Sequence, residues 1–170
     1  MFIAHLPAGY LCARGLASRA GGSITPAMAL VGMVGGVFPD IDLFYRAFFA
    51  SQRIHHHRYP THLPLVWLAI TVGTALLLRA GHPIRRHAAI FLLAVWSHLL
   101  LDSVAGDIWW RWPWFDPPFS LVRIPAVHSR WWLNYLLHWT AVVEFGLVGV
   151  AAYLEWSRPV FFGRWRRPAA

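Results

Sequence analysis

Seven residues carry most of the chemistry that this sequence can perform: His5, Asp40, Asp42, His57, His62, His98 and Asp102. Imidazole nitrogens and carboxylate oxygens are the donors of divalent metal sites. The lone cysteine, Cys12, excludes both a cysteine-based zinc cluster and an internal disulfide framework. His98 and Asp102 stand four apart in the run Ser97-His98-Leu99-Leu100-Leu101-Asp102, one turn apart on one helix face. They can share a metal, or one can ligate while the other supports it; a helix-end carboxylate bonded to a buried His is the plainer alternative. Asp40 and Asp42 alternate across Pro39-Asp40-Ile41-Asp42, read as a non-helical segment, and suit either ligation or a helix cap with a turn. In His55-His56-His57 a solvated interfacial run accounts for at least two of the three, and His57 is the one retained as a donor.

These residues need elements to position them, and the composition says which kind. The chain has 170 residues, is 58% hydrophobic and only 13% charged, and has a mean hydropathy of +0.47. Soluble domains carry about a quarter of charged residues, so the composition indicates a membrane protein. All fifteen basic residues are Arg against seven acids. On so apolar a chain this balance suits membrane topology and anionic headgroups, and nucleic acid is not an expected partner. Intervals between charges predict an all-α, polytopic bundle of about four to five transmembrane helices, at 2–18, 24–39, 63–78, 87–102 and 131–154. Thr25-Pro26 reads as a helix start and Pro39 as the end of the second helix. Segment 103–130 is a Pro/Trp-rich loop, and no internal repeat or domain boundary divides the chain.

Alternating the linkers between two faces puts Arg14, Arg19, Arg79, Arg85, Arg86, Arg158, Arg164, Arg166 and Arg167 on one side with Glu155. The other side receives Arg46, Arg53, Arg58, Arg111, Arg123 and Arg130 with Asp40, Asp42, Asp102, Asp107 and Asp116. The Arg-rich face is expected to be cytoplasmic. The same alternation brings His5, Asp40, Asp42, His57, His62, His98 and Asp102 to the extracytoplasmic rim, from four segments distant in sequence. Ionisable groups gathered there are costly unless a cation pairs the carboxylates, and a metal does so. Trp109, Trp110, Trp112, Trp114, Trp131 and Trp132 fall in or beside the long loop on that face, as an aromatic belt would. Gly32, Gly35 and Gly36 in the second helix read as close helix packing.

Other residues have blander readings beside sharper ones. Arg58, next to His57, suits either bidentate contact with an anionic phosphate or a headgroup anchor. His138 and Glu144 interrupt the last apolar span and must face its interior; six residues apart, they are not expected to pair. His138 is a candidate catalytic-site residue, supporting or extending the donor set, or else a satisfied interior His. His82 and His87 lie with Arg85 and Arg86 at the cytoplasmic face and are expected to meet headgroups. No His-Glu-x-x-His, Gly-x-Ser-x-Gly or phosphate-cradling glycine loop is present in the sequence.

The chain resembles the small inner-membrane metal-dependent hydrolases, a group also labelled LexA-binding, membrane-associated hydrolases. The resemblance rests on His5-Leu6-Pro7-Ala8-Gly9, on Pro39-Asp40-Ile41-Asp42, on His57-Arg58-x-x-Thr61-His62 and on Ser97-His98-x-x-x-Asp102, and so covers about the first 105 residues. Trp112-Pro113 occupies the place of a Trp-Pro stretch in that group. Tyr59 and Pro60 stand where a Gly and an aromatic residue are usual, and Leu63 replaces a usual Ser. The resemblance implies metal roles for His5, Asp40, Asp42, His57, His62, His98 and Asp102. Seven donors are too many for one tetrahedral ion and suit two ions, or one with supporting carboxylates; zinc is the expected metal. The expected function is metal-assisted hydrolysis of an ester or phosphoester in a lipid or lipid-linked substrate at an inner (cytoplasmic) membrane. The alternatives are a metal-ion transporter, which would place its donors nearer the membrane midplane, and a non-catalytic, metal-stabilised regulatory protein.

Overall fold

Thr25 begins the second helix as its sequence implies: its Oγ1 accepts a hydrogen bond from the Met28 amide at 3.2 Å, and Pro26 fills the first turn, where no N–H is needed. In this computed structural model, which describes residues 3–49 and 55–161, the helices are α1 (His5–Arg19), α2 (Pro26–Val37), α3 (Ile41–Phe48), α4 (Pro64–Leu77), α5 (Arg85–Ala105), α6 (Trp131–Leu136) and α7 (Thr140–Ser157). Short 3-10 turns at Phe38–Asp40, His56–Arg58 and Pro60–His62 complete the order. No strand forms among the described residues; Ile108 and Phe119 make one isolated antiparallel bridge inside the long loop.

The expected segments are present, with three corrections. Pro39 closes the α-helical part of the second helix, which ends at Val37, but not the helical stretch. It lies in the first turn of the Phe38–Asp40 3-10 segment, and the chain runs on into α3, so Pro26–Phe48 forms one 23-residue apolar stretch. The expected span 131–154 is broken into α6 and α7, because the Nδ1 of His138 approaches the Thr140 amide and hydroxyl at 3.4 and 3.1 Å and so marks a new helix start. Two helical stretches, Pro26–Phe48 and Arg85–Ala105, are long and apolar enough to cross a membrane, fewer than the four to five expected; α4 is a shorter apolar helix. Much of the outer surface is nevertheless hydrophobic, with Leu76, Leu77, Val142 and Tyr153 each at least two-thirds exposed.

Small residues bring α1, α2 and α5 together. A methyl group on Gly9 or Gly32 would overlap the other helix's backbone, and one on Gly36 would overlap the His5 carbonyl. On the other side of α2, Gly35 lies against Phe91 and Ala94 of α5. The glycines therefore let three backbones approach where their polar side chains must meet. Ala13, Met28 and Ile90 fill one part of the core, and Trp67, Leu92, Val95 and Leu99 another.

At the end of the bundle away from His5, the Arg14 guanidinium donates to the Tyr10 hydroxyl at 2.5 Å and to the Arg158 carbonyl at 2.9 Å, and lies 4.0 Å from Glu155. Arg86 donates to the Ala17 carbonyl at 3.2 Å. Arg14, Arg86 and Arg158, assigned to one face from the sequence, are thus neighbours in the fold. Arg53, Arg164, Arg166 and Arg167, counted in the same assignment, lie outside the described residues.

Candidate metal centre

The seven His and Asp residues meet at one end of the bundle. His5 is contributed by the start of α1, Asp40 and Asp42 by the turn into α3, His57 and His62 by the two 3-10 turns before α4, and His98 and Asp102 by the last part of α5. Proline at the first position of the Pro60–His62 turn helps to direct His62 inward, where its side chain is fully buried.

Three of the imidazoles are each held by an acceptor behind the ring. His98 Nδ1 donates to the Gly36 carbonyl at 2.7 Å, His57 Nδ1 to the Asp107 carbonyl at 3.0 Å, and His62 Nδ1 to Asp42 Oδ2 at 2.6 Å. A carbonyl can only accept, so Nδ1 of His57 and His98 carries a proton and Nε2 is the nitrogen turned to the centre. The Nε2 atoms converge on one carboxylate. His5 lies 3.1 Å from Asp102 Oδ1, while His98, His57 and His62 lie 3.1, 3.4 and 3.7 Å from Asp102 Oδ2. Asp40 closes the ring from the Phe38–Asp40 turn, with Oδ1 at 3.7 Å from His62 Nε2 and 3.8 Å from His98 Nε2. The His5 ring stacks on His98 at 3.8 Å between centroids.

The Nε2 atoms of His62 and His98 are 3.2 Å apart. Two lone pairs at that distance repel unless a cation sits between them. Burial alone would lower the pKa of His62, yet hydrogen bonds to Asp40 and Asp42 outweigh it and raise the value to about 9. The protonated imidazole is the cation that the chain itself supplies. A tetrahedral zinc site with donors at about 2.0–2.2 Å places those donors about 3.3–3.6 Å from one another. The three separations among His62, His98 and Asp102 are 3.1, 3.2 and 3.7 Å, and Asp40 lies 3.7 and 3.8 Å from the two imidazoles. His62, His98 and Asp102 therefore fit three positions of a tetrahedral cation in both chemistry and spacing.

Within this arrangement the seven residues are not equivalent. Asp42 stands behind His62 and also accepts from the Thr61 hydroxyl at 2.8 Å, so it orients an imidazole instead of facing the centre. It does so from the first turn of α3, which corrects the non-helical reading of 39–42. His5, Asp40 and His98 form one candidate donor group; His62, His98 and Asp102 a second; and His56, His57 and His62 a third. His56 is the residue that sequence reasoning missed. It is half-buried, its Nδ1 lies 3.9 Å from Asp42 Oδ1, and burial beside His57 and His62 lowers its pKa to about 3, keeping the ring neutral with one nitrogen able to donate a lone pair. Its position inside a triple-His run gave no clue to which of the three faced inward.

Two further sequence candidates lie elsewhere. The Arg58 guanidinium pairs with Asp116 and stacks over Trp109 at 5.0 Å, so it clamps the Pro/Trp loop to the His56–Arg58 turn. The clamp turns Trp109 inward to 7% exposure, whereas Trp114 is 80% and Trp131 61% exposed, which narrows the expected aromatic belt to part of the loop. His138 marks the start of α7 beside Trp139 and is not brought into the His/Asp cluster. Glu144, buried on α7, accepts from the Ile3 and Ala4 amides at 2.7 and 3.3 Å and so ties the start of α1 in place beside His5. As expected, it does not pair with His138.

No curated protein and no solved structure matches the chain. A family model described as YdjM inner membrane protein matches residues 1–164, almost the whole sequence, and agrees with the apolar composition and the two long apolar helices. The chain belongs to the YdjM inner membrane protein family.

Proposed function

We propose that the protein is a multi-pass membrane hydrolase that uses a divalent metal, zinc by preference, to cleave an ester or phosphoester in a lipid or lipid-linked substrate. The observation that carries this reading is the convergence of imidazole Nε2 atoms on Asp102, with Nδ1 of His57, His62 and His98 anchored from behind. Orienting imidazoles through their second nitrogen is how metal sites hold their ligands. His62, His98, Asp40 and Asp102 are the residues that would hold one ion; His5, His56 and His57 extend the set toward a second. A divalent metal in such a set supplies Lewis acidity, which acidifies water toward neutrality and neutralises charge developing on an ester oxygen.

Hydrolysis adds water across the scissile C–O or P–O bond, hydroxyl to the acyl or phosphoryl group and a proton to the departing alcohol. Asp102 is fixed by its imidazoles, while Asp40, about one-third exposed, turns Oδ1 toward them and is the carboxylate whose other oxygen can take the proton released by the attacking water and pass it to that alcohol. The resemblance to metal-dependent hydrolases supports the reaction class, and the exposed Trp residues around the cluster support a substrate drawn from the bilayer. In the same reading, α1, α4 and the α6–α7 pair complete a bundle of four to five crossing segments, with the His/Asp rim extracytoplasmic.

Elemental analysis of the full chain purified in detergent is expected to find bound zinc, lost in His62→Ala and Asp102→Ala. A wild-type protein without transition metal would sink the proposal. If metal is present, turnover of a phosphoester lipid panel that is unchanged in those variants would remove the catalytic assignment. A reporter fused after Ala170 is expected to be active only on the cytoplasmic side, and the reverse would invert the topology.

A further inference from the structure

Two cavities adjoin beside the His/Asp cluster and differ sharply in character. The first, about 340 Å³, is polar and has His56, His57, Gly106, Asp107, Arg123 and Tyr135 in its wall. That volume lies at the lower end of the range for small-molecule sites, roughly 300–1,000 Å³. The second, about 210 Å³, is walled by Ile3, Trp131, Trp132, Tyr135 and Phe145 and by the buried Glu144, whose carboxylate is taken up by the Ile3 and Ala4 amides, so that its surface is mostly apolar. Tyr135 lines both, so its side chain is a wall common to the apolar slot and the polar cavity.

Arg123 separates the polar cavity from other charged places in the fold. Arg58 is paired with Asp116 and Arg14 lies against Glu155, whereas Arg123 has no carboxylate partner among the described residues. Arg123, itself exposed, is the one arginine lining this cavity with the cluster residues His56 and His57, and Arg presents a donor fork that matches phosphate. Gly106 keeps this wall open: a methyl group there would come within 2.8 Å of the His57 ring. The apolar slot cannot enclose a long chain, but it can take the first carbons attached to a head in the polar cavity and direct the rest past the exposed Trp131 and Trp132.

Resting on the hydrolase reading above, we infer that the substrate is a single-chain amphiphile with an anionic phosphate head, which Arg123 holds against His56 and His57 while the start of its chain lies in the Trp131–Trp132 slot. The phosphate-binding role thus moves from Arg58, next to His57 in sequence, to Arg123, next to it in space.

The test is calorimetric binding to the purified, metal-containing full chain of inorganic phosphate and of butyl, hexyl and octyl phosphate, with octyltrimethylammonium as the chain-matched cation. Affinity is expected to rise with chain length, by up to about fourfold for each methylene that enters the slot. Arg123→Ala is expected to weaken inorganic phosphate and every alkyl phosphate by about ten- to a hundredfold, with partial recovery in Arg123→Lys. Trp132→Ala is expected to flatten the chain-length series and leave inorganic phosphate unchanged. Equal binding of octyl phosphate and octyltrimethylammonium, or an Arg123→Ala protein with wild-type affinities, would overturn the inference, as would a Trp132→Ala series as steep as wild type. Metal in the protein together with any of those results removes this inference and leaves the metal reading standing. Arg123-dependent binding to a protein that elemental analysis finds metal-free removes the hydrolase and keeps the amphiphile site.

Discussion

The two ends of this bundle handle charge in opposite ways. At the Arg end, Arg14 is met by the Tyr10 hydroxyl, the Arg158 carbonyl and Glu155, with side chains of the ion pair 14% and 16% exposed. Cation and anion are matched there, and the contacts read as a device that ties α1 to α7. At the His/Asp end, Asp102 is surrounded by four imidazoles that are themselves buried, and two Nε2 atoms face each other. Buried ionisable clusters contribute little net stability, because desolvation offsets their attraction. The first end is complete as a structural contact; the second gathers donors that a cation would satisfy, and that asymmetry is the physical argument for the proposed ligand.

The comparison breaks most readily at Asp102. Asp102→Asn keeps the shape but removes the charge on which the imidazoles converge; we expect metal content to fall to background and turnover to drop by about a thousandfold, whereas Arg14→Ala leaves both unchanged. Equal metal content in the two variants would erase the distinction between the ends. Gly36→Ala comes next, since the new methyl overlaps the His5 carbonyl and shifts the carbonyl that anchors His98. It is expected to lower thermal stability by about 1–3 kcal/mol and to weaken zinc binding as well, the two read by melting and by competition with a chelator. Asp42→Asn removes the charge behind His62 without touching the centre, and about a ten- to hundredfold loss of zinc affinity is expected.

A smaller effect sharpens the comparison through pH. The pKa of His62 rises from 6.5 to about 9 on folding, so in chelator-treated protein its stabilising contribution is complete below pH 6.5. It is lost as pH climbs through 9. Metal binding displaces that proton, so the loss should vanish in the loaded protein. Melting temperatures measured across this window with and without chelator are expected to diverge as pH rises, and parallel curves would deny His62 the role of internal cation. The smallest effect belongs to the Arg end, where Arg14→Ala should cost about 1 kcal/mol with no dependence on metal.

Much of this organisation can be read without coordinates. Charge spacing locates α1, α2, α4 and α5 within a few residues, and alternating the linkers brings His5, Asp40, Asp42, His57, His62, His98 and Asp102 to one rim, where the structure also has them. The misreadings share a physical cause. Pro39 stops a helix only where an amide is required, and at the start of a 3-10 turn none is. The break before α7 depends on a His138 ring position that hydropathy does not encode. The anchors of His57 and His98 are the carbonyls of Asp107 and Gly36, and a backbone acceptor has no residue type to announce it. For the same reason His56 looked no different from His55, and Arg123 no different from Arg58.

The cluster also has a schedule built into it. Its donors and their anchors come from α1, from the turn between α2 and α3, from the residues before α4 and from α5, with the Asp107 carbonyl still later in the chain. During synthesis no partial product holds a full donor set, because Asp102 emerges almost last of these. On the metal reading proposed above, loading would therefore be a late event in the folding of this chain, and an ion bound tightly would report that its helices have found one another.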